Sequence, residues 1–88
     1  MSHATDQQLR NRLRRAHGHL AKIVAMVEDN RDAVETAQQL QAVVSALEKA
    51  KTFLVTHHIE HHLEETVGPL PEGTKEKLGR LTELAKYL

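Results

Sequence analysis

Hydrophobic side chains recur at helical spacing in three segments of the chain, which polar residues separate. In the first segment, residues 5–28, apolar positions repeat every three or four residues, and Gly18 is the only glycine or proline. Such spacing places apolar side chains along one face of a helix. The pattern therefore predicts a first helix over residues 5–28, followed by a polar break at EDNR, residues 28–31.

The second segment is the longest, because neither glycine nor proline occurs between Ala33 and about Glu65. Asp32 and Glu35 form a D-x-x-E capping box, which favours a helix start. A helix of roughly 33 residues extends about 50 Å. Its apolar positions form two rows: Leu40, Leu47 and Leu54 with Val44 and Ala50, and Val55, Ile59 and Leu63. A helix that is apolar on more than one side is buried from more than one side, so we expect self-association.

A short break separates the second segment from the third. Residues 68–73, GPLPEG, contain two glycines and two prolines, which end helices and form turns. Thr74 is the predicted cap of a third helix from Lys75 to Tyr87, with Leu78, Leu81 and Leu84 on its apolar side. The chain is therefore predicted to be an all-α protein of three helices that forms a single domain over residues 1–88.

The composition narrows the range of functions. The chain has 88 residues and no cysteine, which excludes disulfides and thiolate metal sites. A domain of this size buries little of its own surface, so a metal or a partner subunit is an expected source of stability. Aromatic residues are too few for a protein that stacks single-stranded bases. Because no signal peptide or membrane-spanning run is recognisable, we expect a cytoplasmic protein without membrane contact.

The charge is unevenly distributed, although the net charge is zero. Residues 1–31 contain six Lys and Arg against three Asp and Glu, whereas residues 32–88 contain six against nine. Four arginines lie close together in the predicted first helix: Arg10, Arg12, Arg14 and Arg15. A basic first helix favours a polyanionic partner, but a solvated helix face explains the charge alone equally well.

Four of the seven histidines lie in HHIEHH, residues 57–62, near the end of the predicted second helix. Residues four apart on a helix share one face, with Cβ atoms about 5–6 Å apart. His57 with His61 and His58 with His62 therefore form two pairs, each able to offer two imidazoles to one metal ion. A single histidine is usually structural or solvated, but four in six positions favour a metal site over packing or capping.

Two imidazoles do not complete a metal site, because zinc takes four ligands and nickel or cobalt commonly takes five or six. The candidates for the remaining ligands are His3, Glu60, Glu64, Glu65, and His17 or His19 of the first helix. Nitrogen and oxygen donors suit Ni²⁺, Co²⁺, Zn²⁺ or Cu²⁺, whereas Cu⁺ prefers thiolates.

An enzyme is a weaker interpretation of the same histidines and carboxylates. No GxSxG, HExxH, GxGxxG or P-loop motif occurs in the sequence. Histidine and glutamate could serve acid–base chemistry, but nothing marks a nucleophile or a substrate pocket. We therefore expect a protein that is not an enzyme.

Three stretches of the chain have the composition and spacing of known repressor motifs. LRRAHGHL, residues 13–20, looks like an R-I/L-x-G-Q-V stretch that opens a first helix. QLQAVVSAL, residues 39–47, resembles a Q-I-x-A-V-x-x-A-L segment, and HIEHH, residues 58–62, resembles an H-L-x-H-C or H-L-x-E-H ending. The spacings agree without gaps from about Leu9 to Val67. Together these stretches resemble the CsoR/RcnR/FrmR family of bacterial repressors over nearly the whole chain.

The resemblance implies an assembly and a mechanism. Members of this family are all-helical dimers, in which an antiparallel four-helix bundle is completed by the third helices, and the dimers usually pair into tetramers. They bind double-stranded operator DNA without a helix-turn-helix and release it when an inducer occupies a site between subunits. The inducers in the family are Cu⁺, Ni²⁺ or Co²⁺, formaldehyde and sulfur species.

The resemblance also implies a set of metal ligands. The family's first sensing histidine falls on His58 and its last ligand on His62, and the amino-terminal histidine of the nickel and cobalt branch falls on His3. The sensing cysteine that begins the second helix falls on Ala33, which cannot bind a metal or react with formaldehyde. We therefore expect an all-nitrogen-and-oxygen site in which His61, His57 or a carboxylate replaces the thiolate.

The DNA-contacting arginine of the family falls on Arg12, with Arg10, Arg14 and Arg15 beside it, and a family glutamine falls on His19. The expected function is a repressor that releases operator DNA when a divalent metal, preferably Ni²⁺ or Co²⁺, binds between subunits. Two alternatives remain: a repressor of the same family with altered or lost inducer sensing, and a helical metal-binding module without a DNA role.

Overall fold

Three helices form the structure, a computed structural model that describes residues 3–85 and 87, with the backbone alone at His3. They are α1 (His3–Glu28), α2 (Ala33–Val67) and α3 (Glu72–Ala85). No strand occurs among the described residues. The all-α fold with three helices is thus confirmed.

The turn between α1 and α2 is fixed by local backbone hydrogen bonds. Asn30 has a positive φ of 55°, and the following Arg31 N–H donates to the Met26 carbonyl at 2.9 Å. This arrangement ends a helix by satisfying its last carbonyls. The Asp32 side chain then caps α2 by accepting from the Glu35 N–H at 3.1 Å, as the capping box predicts. The chain therefore reverses direction within four residues, and α1 and α2 run antiparallel.

The start of α3 differs from the prediction, which placed the cap at Thr74 and the first turn at Lys75. The helix begins at Glu72, and the Thr74 and Lys75 N–H groups donate to the Pro71 carbonyl at 3.0 and 3.2 Å. Gly73, which the sequence pattern assigns to the break, lies inside the first turn of the helix. Proline before the helix and an acidic residue in its first turn both favour this earlier start.

The core of a single chain is thin. Only four apolar side chains of the described residues are buried, namely Ala16, Ile23, Val43 and Ala50. They lie between α1 and α2, so Ala50 faces α1 rather than joining the leucine row as expected. The molecule measures 55 × 29 × 16 Å, and its shortest dimension is less than the combined diameter of two packed helices. Little apolar surface is therefore covered within one chain.

The leucine row of α2 faces away from the other two helices. Leu40, Leu47 and Leu54 are 44%, 44% and 38% exposed, and Val44 and Val55 are 46% and 41% exposed. Monomeric proteins rarely expose a contiguous apolar row of this length. This uncovered apolar surface supports the prediction of self-association, which the structure of one chain does not test.

Candidate functional site

The HHIEHH histidines lie on the last turns of α2 and divide into two pairs with different surroundings. His58 and His62 are exposed, and their ring centroids lie 4.5 Å apart in an edge-to-face arrangement. On a helical wheel His58 lies about 40° from Leu54, so this pair extends the uncovered leucine row. Two imidazoles at this spacing can approach one metal ion after small side-chain rotations.

The other pair, His57 and His61, lies beside the beginning of α1, although His61 itself is exposed. His57 is half-buried, and its Nδ1 lies 2.9 Å from the Phe53 carbonyl oxygen, to which it can donate. Both histidines line a groove of about 650 Å³ that also includes Thr5, near the start of α1. The antiparallel hairpin therefore brings the beginning of α1, and with it the backbone of His3, to the histidine end of α2.

Glu65 stands beside the exposed histidines. One carboxylate oxygen lies 2.9 Å from His61 Nε2, and the other lies 3.9 Å from His62 Nδ1. Because these groups are largely exposed, the ion pairs add little stability. A carboxylate beside an imidazole can, however, orient the ring toward a metal ion.

The described side chains of one chain do not by themselves assemble a complete metal site. Among the described residues, no group of three His, Asp or Glu side chains is close enough to hold a metal ion. Ala33 and His58 lie about 38 Å apart along α2, so residues from the two ends of this helix can meet only across subunits. The donor set of His58 and His62 fits a divalent transition metal, with further ligands from His61, from His3, whose side chain is outside the described residues, or from another subunit.

A basic face runs along α1 and onto α2. Arg12, Arg15 and Lys22 lie three, seven or ten residues apart, so they project from one side of α1. Arg12, Arg15 and Lys49 of α2 line one groove, and Arg15 and Lys22 line a second. We call these four residues, Arg12, Arg15, Lys22 and Lys49, the basic face. Its positive charge comes from two helices, which suits phosphate groups along a duplex.

Arg12 is the half-buried arginine of the basic face. Its guanidinium carbon lies 5.0 Å from the centroid of the Phe53 ring, within the range of a cation–π contact. The same ring packs against the His57 ring, with centroids 4.2 Å apart. Phe53 therefore contacts both a residue of the basic face and a residue of the histidine end.

The other predicted DNA-binding residues occupy different positions. Arg10 and Arg14 are exposed, and Arg14 shares the groove of Arg15 and Lys22. His19 is half-buried, and its Nε2 lies 2.6 Å from Gln39 Oε1 on α2. His19 thus links α1 to α2, which leaves one ring edge for any further contact.

Sequence reasoning did not include Lys22, Lys49 or Phe53 among the functional residues. The spacing of seven residues between Arg15 and Lys22 is a signal that could have identified Lys22. Lys49 and Phe53 carry no such signal, because their positions opposite Arg12 depend on how α1 and α2 pack.

A comparison with protein families identifies the chain. The model of the metal-sensitive transcriptional repressor family matches residues 5–87, which is nearly the whole sequence. The chain belongs to this family. Members of the metal-sensitive transcriptional repressor family are repressors rather than enzymes, which confirms the expectation drawn from the missing catalytic motifs.

Curated relatives agree with this membership. The copper-sensing transcriptional repressor CsoR of Mycobacterium ulcerans (strain Agy99) is 40% identical over 63 residues, which are 68% of this chain and 54% of that protein. CsoR of Mycobacterium tuberculosis (strain ATCC 25618 / H37Rv) is 40% identical over 50 residues, 57% of this chain and 42% of that protein. The chain spans about half the length of these relatives.

A third relative aligns over more of its length. The copper-sensing transcriptional repressor RicR of the same M. tuberculosis strain is 31% identical over 80 residues, 88% of this chain and 83% of that protein. No solved structure gives a significant match. In the described part of this family member, no helix combines the length and apolarity that a membrane crossing requires.

Proposed function

We propose that this chain is a metal-responsive repressor that acts as a homo-oligomer in the cytoplasm. The basic face of α1 and α2, with Arg10 and Arg14 beside it, binds the phosphates of double-stranded operator DNA. His58 and His62 bind a divalent transition metal at a site that a second subunit or His3 completes. Metal binding lowers the affinity for DNA.

The observation that carries this proposal is the position of the exposed histidine pair. His58 and His62 extend the row of Leu47 and Leu54, which is uncovered in one chain. A second subunit that covers this row also approaches the two imidazoles, and its own α2 begins with Ala33 rather than a thiol donor. The site is therefore shared between subunits and built from nitrogen and oxygen donors.

The donor set bears on the choice of metal. All three named relatives are copper-sensing repressors. With no cysteine in the chain, a Cu⁺ site lacks the thiolates that this ion prefers. Imidazoles bind Cu²⁺, Ni²⁺, Co²⁺ and Zn²⁺, and Cu²⁺ binds most tightly in this series. We propose a divalent ion of this series, with Ni²⁺, Co²⁺ and Cu²⁺ as the inducers to compare.

The antiparallel hairpin connects the two sites. The histidines lie on the end of α2 that packs near the beginning of α1, and Arg12 lies on the same half of α1. A bound metal holds imidazoles from different segments at fixed positions. When the end of α2 adjusts to those positions, α1 moves with it, and its arginines no longer match the phosphate spacing. A coupling of about 1–3 kcal/mol changes DNA affinity about 5–150-fold.

Replacing Arg12 by alanine is expected to weaken the affinity of the protein for DNA from the promoter region of its own gene. Each lost phosphate contact also lowers the slope of log affinity against log salt by about one unit. Fluorescence anisotropy at several salt concentrations measures both quantities. Arg31→Ala is the matched control, because Arg31 is an exposed arginine that pairs with Glu35 at 2.6 Å and lies outside the basic face.

Equal slopes for the wild type and for the alanine variants of Arg12, Arg14 and Arg15 would place the DNA surface elsewhere. Wild-type protein that binds metal but shifts no DNA at low salt would contradict the repressor proposal. That result would favour the alternative of a helical metal-binding module.

A constitutive repressor is the second candidate. It is favoured by Ala33 at the position of the family's cysteine and by the lack of a three-ligand group among the described residues. Titration of the protein–DNA complex with Ni²⁺, Co²⁺, Zn²⁺ and Cu²⁺ separates the two candidates. Release of DNA at a fixed metal-to-subunit ratio supports the metal-responsive repressor, whereas unchanged affinity with all four ions supports the constitutive one.

A further inference from the structure

The Phe53 ring joins the histidine end of α2 to the basic face. Its centroid lies 5.0 Å from the Arg12 guanidinium carbon on α1 and 4.2 Å from the centroid of the His57 ring. Phe53 is the only phenylalanine of the chain and is half-buried. An aromatic ring at this one position therefore touches both parts of the proposed mechanism.

The two contacts differ in kind. Arg12 and Phe53 belong to different helices, so their contact depends on how α1 and α2 are placed relative to each other. His57 and Phe53 lie one turn apart on α2, and the His57 Nδ1 lies 2.9 Å from the Phe53 carbonyl oxygen. The His57 ring is thus fixed at both its nitrogen and its face, and it directly precedes His58.

We infer that Phe53 is a positioning residue for Arg12. The Phe53 ring sets the orientation of the Arg12 guanidinium in the DNA-free protein, and that orientation changes when the histidine end of α2 moves. This inference rests on the proposed repressor function. A cation over an aromatic face is held by the ring quadrupole without using the hydrogen-bond donors of the guanidinium. Those donors remain available for phosphate oxygens, which accept up to two parallel hydrogen bonds from one guanidinium.

The neighbouring charges are consistent with this role. Three carboxylates, those of Glu48, Glu76 and Glu83, line the groove that contains Arg12 and Phe53, together with Lys49 and Arg80. Glu76 lies 3.4 Å from Arg80, and the pair is exposed. Among the described residues, none of these carboxylates forms an ion pair with Arg12, whose guanidinium lies over the Phe53 ring instead.

The test compares Phe53→Leu with Phe53→Tyr, since leucine keeps apolar volume and tyrosine keeps the ring. We expect Phe53→Leu to weaken metal-free DNA binding about 3- to 10-fold, the range of a partly exposed cation–π contact. Phe53→Tyr, which keeps the aromatic ring, is expected to bind DNA with the affinity of the wild type. In an Arg12→Ala background, Phe53→Leu is expected to change DNA affinity less than about twofold, because Phe53 acts through Arg12.

A purely structural role for Phe53 gives a different result. Its effect would then add to that of Arg12→Ala, and tyrosine would rescue no better than leucine. Either outcome overturns the inference, while Arg12→Ala alone still reports on the DNA proposal. Circular dichroism and sedimentation of all variants check that the fold and the assembly are retained.

A readout without DNA separates this inference from the proposed function. In nuclear magnetic resonance spectra, the Arg12 side-chain protons are expected to be shifted upfield by the Phe53 ring, unshifted in Phe53→Leu and shifted again in Phe53→Tyr. Saturation with Zn²⁺, which is diamagnetic, is expected to change the shift in the wild type and not in His58→Ala. An Arg12 shift that Zn²⁺ leaves unchanged, although Zn²⁺ is bound, would overturn the link between the two sites.

Discussion

Replacing His58 or His62 by alanine is expected to weaken the binding of divalent metal at least about 100-fold and to remove the metal response on DNA. Loss of even an outer-shell partner of a metal ligand typically costs 10- to 100-fold in affinity, and loss of a ligand costs more. Both side chains are exposed, so neither substitution creates a cavity. The metal-free DNA affinity should therefore remain close to that of the wild type.

Isothermal titration with Ni²⁺, Zn²⁺ and Cu²⁺ measures the affinity and the number of ions per subunit, and anisotropy measures the response on DNA. Gln38→Ala is the control, since Gln38 is an exposed polar residue of α2 that lies opposite the leucine row and is not among the candidate ligands. His57→Ala is expected to have the smaller effect on metal affinity, because the half-buried His57 packs against Phe53. Full metal affinity and full metal response in His58→Ala would refute the sensor proposal.

The helices could be predicted because their ends carry strong local signals. The polar break at residues 28–31 and the Asp32 cap mark the first turn, and the glycines and prolines of residues 68–73 mark the end of α2. The start of α3 was predicted three residues late because Gly73 suggested a break. In the structure Gly73 lies in the first turn of α3, where glycine is tolerated. The local sequence therefore predicts the number of helices more accurately than the residue at which each helix begins.

The site could be predicted only in part, since its arrangement depends on packing between helices. Helical spacing alone paired His58 with His62 and His57 with His61. It could not indicate that His57 and His61 line a groove with Thr5 of α1, because that depends on how α1 packs against α2. The contact of Arg12 with Phe53 likewise depends on the antiparallel register of α1 and α2, which no pattern within a single helix specifies.

The choice of metal was also beyond the sequence pattern. The resemblance of His62 and His3 to the ligands of the nickel and cobalt branch favoured those two metals, whereas the curated relatives sense copper. The order of affinities within the divalent series is nearly the same for most nitrogen and oxygen sites. Selectivity for one metal therefore comes from the geometry of the site and the number of its ligands. In the proposed site both depend on how the subunits assemble, which the spacing of residues 57–62 does not specify.

Substituting Leu47, in the middle of the uncovered leucine row, is expected to disrupt the assembly. Leu47→Ala should lower the free energy of unfolding of the oligomer by about 2–5 kcal/mol per subunit if a partner buries this side chain fully. Leu47→Glu should dissociate the oligomer, because a carboxylate without a partner is strongly disfavoured in an apolar interface. Sedimentation at micromolar concentration and denaturation at several protein concentrations measure these effects.

Val67→Ala is the control for the leucine substitution, because Val67 is 69% exposed and lies about 160° from Leu47 around α2. It should leave assembly and stability unchanged. Loss of assembly in Leu47→Glu should also abolish tight metal binding, although both His58 and His62 are still present, since the site needs ligands from a second subunit or a correctly placed α1. A Leu47→Glu monomer that binds metal as tightly as the wild type would show that one chain completes the site. A wild-type protein that sediments as a stable monomer would remove the basis of the shared site altogether.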